Sequence, residues 1–502
     1  MIPRRATACC GSPVMSRSPN QTRPEVGTVS PEMSRKNVVL PAPLGPMIER
    51  SSPRRTVTST RSTAMRLPKA RVSASVRIRG ASGIGANSMA SSKVSRRGGG
   101  APLCYRPREM DSLPLPPLSA EQTDLVARMR ELSRTRFAPR AARYDAESSF
   151  PHENYRDLQA AGLLPLTVPR AYGGVGADPI AYVHALREMA QGCSATALTF
   201  NMHSTITSFI DALGTEAQKQ RWFAEVVEHG RLIASITSEP EQSFRDKFVL
   251  NTVFRRADGG WRVAGVKQFC SIGDAADYYF VTGVVEGTSS AAEGVISAMI
   301  PRTDAGVKIE GIWNATGMRG TISHTIRYDC LVPESDVVGT PGSLLTIDLS
   351  GFALGYAAVY LGIGEAAFDY MLEYAKTKTL KPATEPMSHH PLVQRTVAQV
   401  GTALRAAQLL VHEAARVRMT GDKAATMLAV NQAKAYAAEV GLDATTRALQ
   451  MAGGRGILKE LPLERWHRDA LAGPVMPPSN DRCLETAGKL LCGLRAATLE
   501  FQ

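Results

Sequence analysis

Ile233 to Phe280 read IASITSEPEQSFRDKFVLNTVFRRADGGWRVAGVKQFCSIGDAADYYF, and the rest of the chain is organised around this stretch. Thr237-Ser238-Glu239-Pro240 closes an apolar, strand-like run with small hydroxyls and a chain-breaking proline. Farther on, Lys267-Gln268-Phe269-Cys270-Ser271 sets an aromatic ring and a hydroxyl two residues apart, which on a regular strand places them on one face. A ring to pack on and a few hydroxyls to orient it are what a flat heteroaromatic cofactor needs. A half-buried hairpin with a core phenylalanine is the plainer alternative for the stretch taken alone.

The stretch lies between two helical regions. Residues 110–230 are expected to form a helical domain. Ser119 and Gln122 make a capping-box pair ahead of Leu125, Met129 and Leu132, and helical runs follow over 153–162, 179–191, 195–211 and 215–229. Residues 231–341 turn to short Val, Ile, Phe and Tyr runs separated by turn signals, which predicts a small antiparallel sheet or barrel. Residues 342–502 are helical again. The run 349–376 is apolar nearly all round, as in a central buried helix. Val393, Val397, Val400, Leu404, Ala407, Val411 and Ala414 keep the spacing of a bundle seam, and helices near 423–452 and 480–493 complete four. The expected class is α+β: helical domain, antiparallel β domain, four-helix bundle.

The formal net charge of +13 does not point to nucleic acid for this body. Residues 1–109 hold 20 Lys and Arg against 4 Asp and Glu, which leaves 39 basic and 42 acidic residues for the remainder. That first segment is rich in Arg, Ser and Pro and has no sustained periodicity, so disorder is expected. A targeting peptide, a nucleic-acid-binding tail and a misplaced start with Met110 as the first residue are the readings it leaves open. No metal-ligand spacing occurs among the cysteines, and five of them scattered through a body this large suggest reduced thiols and a cytoplasmic location. The longest uncharged apolar run, Leu349 to Gly364, is short for a membrane span, so no membrane insertion is expected.

Several short motifs in this order carry a resemblance. They are Gly162-Leu163, Val168-Pro169 with Tyr172-Gly173-Gly174-Val175-Gly176, and Leu213-Gly214-Thr215-Glu216-Ala217-Gln218-Lys219. Ser238-Glu239-Pro240, Lys267 to Gly273, Gly317-Met318-Arg319-Gly320 with Val332-Pro333 and Val338-Gly339, and Gln450 to Gly456 complete the set. Together they resemble the acyl-CoA dehydrogenase superfamily over about residues 115–495.

The resemblance implies FAD between the β domain and the bundle. Thr237 and Ser238 would bond the pyrimidine side of the flavin, Phe269 stands where the family packs a tryptophan on the ring, and Ser271 stands near the reactive N5. Gln450, Gly453 and Gly454 would contact the adenosine diphosphate of a cofactor bound mainly by a neighbouring subunit, which implies a homo-oligomer, a dimer or a tetramer. Lys378 and Ser479 are the remaining implied cofactor contacts.

Three departures weigh on the chemistry. The small-residue loop that normally follows the Thr-Glu-Pro signature is replaced by Glu241-Gln242-Ser243-Phe244-Arg245-Asp246. The family's arginine-containing pyrophosphate segment becomes Lys378-Thr379-Leu380-Lys381-Pro382, in which a lysine keeps the charge but loses the fork. Dehydrogenation also needs a carboxylate beside the α-carbon. Counting from Arg468-Asp469, the family's glutamate position is Pro477, and its other glutamate position falls near Phe352. Asp481 and, less so, Glu239 remain as candidate bases, and Ser271 as the hydroxyl nearest the chemistry.

These features leave three functions. The first is an FAD-dependent oxidoreductase acting on an acyl-CoA and passing electrons to an electron-transfer flavoprotein. The second is a monooxygenase of the same fold, which uses reduced FMN or FAD as co-substrate from a flavin reductase together with oxygen, and needs no α-proton base; Ser271, and His324, His389 or His390, would serve it. The third is a non-catalytic acyl-CoA- or partner-binding protein. A Ser/His/Asp hydrolase and a phosphate-loop enzyme are excluded for want of their motifs.

Overall fold

Caps visible in the sequence set where the first helices begin. The computed structural model describes residues 117–240 and 250–496. The basic segment 1–109 and the altered loop Glu241–Asp246 lie outside the described residues. Ser119 caps α1 (Ala120–Leu132) by accepting from Gln122 N at 3.1 Å, while the Gln122 amide oxygen accepts from Ser119 N at 2.8 Å. A π-helical turn, Ser133–Phe137, and α2 (Ala138–Glu147) continue this helix and were not anticipated. Next come α3 (His152–Ala160), α4 (Pro179–Gly192), α5 (Ser194–Leu213) and α6 (Glu216–Val227). Thr215 and Gln218 form a second capping box at α6, and the Gln218 side chain also donates to Ser335 O at 2.8 Å and Val337 O at 2.6 Å. One glutamine thus starts a helix and ties it to the sheet region.

The sheet has eight strands: β1 (Ile233–Ile236), β2 (Val253–Ala257), β3 (Gly260–Cys270), β4 (Tyr278–Val285), β5 (Val295–Pro301), β6 (Val307–Gly311), β7 (His324–Val332) and β8 (Val337–Val338), with a short helix α7 (Ala291–Gly294) before β5. Their order is β6-β7-β3-β2-β4-β5-β8, with β1 beside β4. The expected antiparallel pairing is found for most strands but not all. Strand β1 runs parallel to β4 from Tyr278 to Val281, and β2 runs parallel to it at Val284 and Val285. The two strands share one edge of β4, each holding a different half. In β3, buried Trp261 and Val263 alternate with exposed Arg262, as the sequence pattern requires.

The helical region comprises α8 (Gly351–Thr377), α9 (Pro391–Arg418), α10 (Lys423–Ala452), α11 (Leu463–Ala470) and α12 (Asn480–Leu491). Helix α8 is long and apolar enough to cross a membrane, yet 89% of its most apolar window is buried within the fold, where it packs on α4, α5, α9 and α10. On α9 the seam is buried from Val400 through Leu404, Ala407 and Val411 to Ala414, whereas Val393 and Val397 are only half-buried. The short α11 was not anticipated; its LERWHRDA sequence is only two turns long and buries Leu463 and Ala470. Cys193, Cys270, Cys330, Cys483 and Cys492 are all free thiols.

Candidate functional site

The ends of β1 and β3 open onto a cavity of about 570 Å³, a volume within the range of small-molecule and cofactor sites. Its two walls differ in character. The sheet wall carries Thr237, Ser238, Phe269, Ser271, Thr321 and Ser323. The helical wall carries Leu198, Met202, Ile206 and Phe209 of α5, Phe352 and Tyr356 of α8, and the segment from Leu471 to Pro478.

Phe269 and Ser271 both border the cavity, but not as strand neighbours on one face. The β3–β7 register slips between the Lys267↔Ile326 and Cys270↔His324 pairs, and Phe269 takes a left-handed φ of +57° within that bulge. A bulge of this kind re-aims side chains. The Phe269 ring is left 50% exposed, edge-on to Trp313 with ring centroids 6.0 Å apart, while Ser271 is buried. Ile272, Met318 and Ile322 also have positive φ, so four of the five such non-glycine residues among the described ones lie along this rim. For β-branched isoleucine this conformation is a true outlier, and strain of this sort persists where surrounding structure imposes it, commonly at functional sites.

Tertiary contacts impose it here. The Ile272 amide donates to Thr321 O at 3.0 Å, joining the strand end to the Met318–Ser323 loop. The buried Asp469 carboxylate accepts from Met318 N at 2.6 Å and from the Ser194 hydroxyl at 2.7 Å. Burial pushes the Asp469 pKa up, against the pull of those two bonds. Gly317 lies so close to α11 that a Cβ there would come within 2.0 Å of Arg468 O, so only glycine fits. Arg468 makes bidentate bonds to Asp145 at 2.9 and 2.6 Å, and also bonds Glu464 and Thr316 O. Its pKa is raised chiefly by the Asp145 bond. One arginine thereby joins the end of α2, the sheet loop and α11 beside the cavity.

Three buried hydroxyls run along the sheet wall. Ser271 Oγ is 2.9 Å from Ser323 Oγ, Ser323 Oγ is 2.7 Å from Thr321 Oγ1, and Thr321 Oγ1 donates to Met318 O at 2.8 Å. Among the described residues that line the cavity, Glu239 is the only Asp or Glu. Its oxygens accept from Thr252 N at 2.9 Å, Asn251 N at 2.6 Å and Lys267 Nζ at 2.7 Å. Burial works to raise its pKa, but the Lys267 ammonium and these bonds overcome that and hold it below the usual carboxylate value. Such a group is a poor base.

Three family models match consecutive parts of the chain in order: the N-terminal domain of acyl-CoA dehydrogenases over residues 119–229, the middle domain over 234–330 and the C-terminal domain over 354–475. The chain belongs to the acyl-CoA dehydrogenase superfamily. This is a family of flavin-dependent oxidoreductases. The chain is 28% identical over 358 residues to the short-chain-specific acyl-CoA dehydrogenase of Clostridium acetobutylicum, covering 70% of this chain and 93% of that one. It is 29% identical over 401 residues to the dibenzothiophene monooxygenase of Rhodococcus erythropolis, covering 75% and 95%. Its fold superposes on butyryl-CoA dehydrogenase from Megasphaera elsdenii with a TM-score of 0.70 and 25% identity, over 75% of this chain and 99% of that one.

At the two positions where the superfamily resemblance leads one to expect a glutamate, Pro477 and Phe352 both line the cavity. Asp481 does not line it; it is exposed in the first turn of α12. Ser479 caps that helix, its hydroxyl accepting from Arg482 N at 3.4 Å, and is likewise absent from the cavity lining. Lys378 ends α8, with its ammonium 5.9 Å from the Tyr374 ring. Gln450, Gly453 and Gly454 are exposed at the end of α10, and a Cβ on either glycine would meet nothing within 4 Å. Within one chain, then, Thr237, Ser238, Phe269 and Ser271 come together, while Asp481, Ser479, Lys378, Gln450, Gly453 and Gly454 lie elsewhere. His324 is buried behind the rim, accepting from Trp313 N at 3.0 Å, and His389 and His390 sit at the start of α9; none of the three lines the cavity. Sequence reading missed Thr321, Ser323 and Trp313. The hydroxyls two residues apart immediately after Gly320 were the available signal.

Proposed function

We propose that this chain is a flavin-dependent monooxygenase that acts on a compact, apolar, aromatic-sized substrate. The observation that carries the proposal is the state of the cavity's carboxylates. Among the described residues Glu239 is the only one there, its oxygens are engaged by Lys267 and two backbone amides, and proline and phenylalanine fill the two positions where a base is expected. Removal of an α-proton from an acyl-CoA requires a free carboxylate within reach. Oxygenation does not. A bound reduced flavin would supply the two electrons and two protons by which dioxygen gives one oxygen atom to the substrate and the other to water.

The residues fit a flavin. The half-exposed Phe269 ring offers a packing surface at the cavity, where Thr237 and Ser238 would bond the pyrimidine side and Ser271 would serve N5. The apolar helical wall would hold the substrate and exclude water from it. FAD is the expected flavin, with reduced FMN as the alternative, and a flavin reductase is the expected electron partner. Gly453 and Gly454, with open space around them, would let a cofactor held by a second copy in a homo-oligomer approach the backbone. The free thiols favour a cytoplasmic location.

The test uses the full-length protein with FAD and FMN. Chemically reduced flavin, oxygen and a panel of fused aromatic heterocycles that includes dibenzothiophene are expected to yield a product carrying one ¹⁸O from labelled dioxygen. Anaerobic bleaching of bound flavin by butyryl-CoA, with no oxygenated product from the panel, would return the dehydrogenase reading. Failure to bind either flavin would leave neither.

A further inference from the structure

The three hydroxyls on the sheet wall can be given a direction by counting protons. Each serine or threonine hydroxyl has a single proton to donate. Met318 O, which only accepts, also takes Trp313 Nε1–H at 3.0 Å and Thr321 N–H at 3.1 Å, but the Thr321 hydroxyl oxygen lies closer still, at 2.8 Å, and turns its proton there because two oxygens at that distance repel without one between them. Thr321 can then only accept from Ser323 at 2.7 Å, and Ser323, having donated, can only accept from Ser271 at 2.9 Å. All three side chains are buried, with residue exposures of 3% for Ser271, 6% for Ser323 and 1% for Thr321, so water competes little for these bonds. The Met318 carbonyl that anchors the sequence is itself fixed, because Met318 N donates to buried Asp469.

From this direction we propose that Ser271 presents a lone pair, not a proton, to the cavity, and that the site therefore favours reduced flavin over oxidised flavin. The N5 atom of oxidised flavin is an acceptor, whereas in reduced flavin it carries a hydrogen and donates. An acceptor held at that place bonds the reduced form and opposes the lone pair of the oxidised form. Thr321 and Ser323 are positioning residues: they touch neither flavin nor substrate in this account, but they settle what Ser271 can offer. The inference rests on the flavin reading above and deepens it, since a site that selects reduced flavin from solution suits a co-substrate delivered by a reductase.

The experiment measures dissociation constants of the full-length protein for oxidised and dithionite-reduced FAD, with FMN in parallel, under anaerobic conditions. The wild type is expected to hold the reduced form about tenfold more tightly, or about 1.4 kcal/mol. In Ser323→Ala the Ser271 proton loses its acceptor and is free to turn toward N5. Oxidised flavin should then bind more tightly than in the wild type, and the ratio should fall toward one. Damage to packing alone would weaken both forms together. Thr321→Val removes the acceptor of Ser323 and should narrow the ratio in the same sense, which keeps the test open if the first variant fails to fold. A wild-type preference for oxidised flavin, or a ratio unchanged in both variants, overturns the hydroxyl direction while leaving the flavin reading intact. If neither form of either flavin binds, the flavin reading falls and this inference with it.

Discussion

The two walls of the cavity were built by different means. The sheet wall is polar, strained and densely tied: Phe269, Ile272, Met318 and Ile322 hold positive φ, hydroxyls bond hydroxyls, and Asp469 and Arg468 pin the loop from behind. The helical wall is largely apolar and regular, made of side chains projecting from α5 and α8 and of the segment that carries Pro477, with Arg468 of α11 and Arg482 of α12 also lining the cavity. A wall that must orient a cofactor spends backbone conformation on fixed donors and acceptors. A wall that must hold an apolar molecule needs only side chains of suitable size. Superfamily membership and the polar wall agree, whereas on the apolar wall the two positions where a carboxylate is expected hold Pro477 and Phe352.

The most severe way to break the polar wall is at its buried ion pair. Lys267 and Glu239 are 2.7 Å apart with side chains 0% and 2% exposed, and Lys267 also donates to Thr237 O at 3.0 Å. Removing one partner strands the other charge, at a cost of about 3–5 kcal/mol. Glu239→Ala should therefore lower stability to urea by about that much and abolish flavin retention, because the strand end bearing Thr237 and Ser238 loses its tether. A loss under about 1 kcal/mol would show that the polar wall stands without the pair.

The apolar wall can be challenged by supplying what it lacks. Pro477→Glu puts a carboxyl among Met476, Val475 and Phe352, and incomplete solvation there should cost about 1–3 kcal/mol. On the proposed function this variant still oxidises no acyl-CoA. If it gains that activity, the remaining pocket accepts the thioester, and Pro477 is all that separates the two chemistries.

Behind the apolar wall the bundle keeps its charges. The same α8 that brings Phe352 to the cavity carries Glu365 to a buried cluster, where Gln408 donates to it at 2.7 Å, Gln191 at 2.9 Å, and Arg187 Nε lies 3.3 Å away. Burial pushes its carboxyl up to about 7 from an ordinary 4.5, with Arg187 opposing. The folded chain thus holds this proton more tightly than the unfolded chain. Its contribution to stability is complete below about pH 4.5 and is lost as the pH rises through about 7. Glu365→Gln, always neutral, should gain about 2–3 kcal/mol on the wild type between about pH 5 and pH 8, read from urea midpoints at each pH. A difference that does not move with pH would mean that Arg187 keeps the carboxylate ionised throughout.

What the sequence disclosed and what it concealed divide along the same line. The apolar, regular parts were legible: long helices with clear periodicity and capping residues, such as Ser119 before α1 and Thr215 before α6, begin where those residues say they should. The motif Gly214-Thr215-Glu216-Ala217-Gln218 was read as a family likeness, and the fold adds that its Thr215 and Gln218 form a capping box. Short α11 was missed because its apolar spacing, Leu463, Trp466 and Ala470, spans only two turns, and the parallel pairing of β1 and β2 with β4 because strand order is a tertiary fact. At the site, Thr237, Ser238, Phe269 and Ser271 could be picked out, but not the bulge that turns Phe269 out, nor the bond from Ser271 to Ser323, which lies 52 residues away. Asp469 served in the sequence only as a landmark for counting to Pro477. In the fold it sets the loop on which the hydroxyl direction depends.

The finest test of the comparison is Phe269 itself, where strain and exposure coincide. If the polar wall spends conformational energy to present this ring, replacing it with glycine should relieve the strain and forfeit the ring together. The ring is half exposed, so little burial is lost, and glycine adopts a φ of +57° freely although its unfolded chain has more freedom to lose. Phe269→Gly should therefore match the wild type in urea to within about 1 kcal/mol, while its flavin dissociation constant rises about tenfold. Phe269→Ala removes the ring but keeps a Cβ in the left-handed region, and should be less stable than the glycine variant by about 1 kcal/mol. That ordering, glycine above alanine with both poor at holding flavin, belongs to a strained residue kept for its ligand. If both variants instead lose more than about 2 kcal/mol and hold flavin as the wild type does, Phe269 is the core residue of an ordinary hairpin, and the polar wall must orient its cofactor by hydroxyls alone.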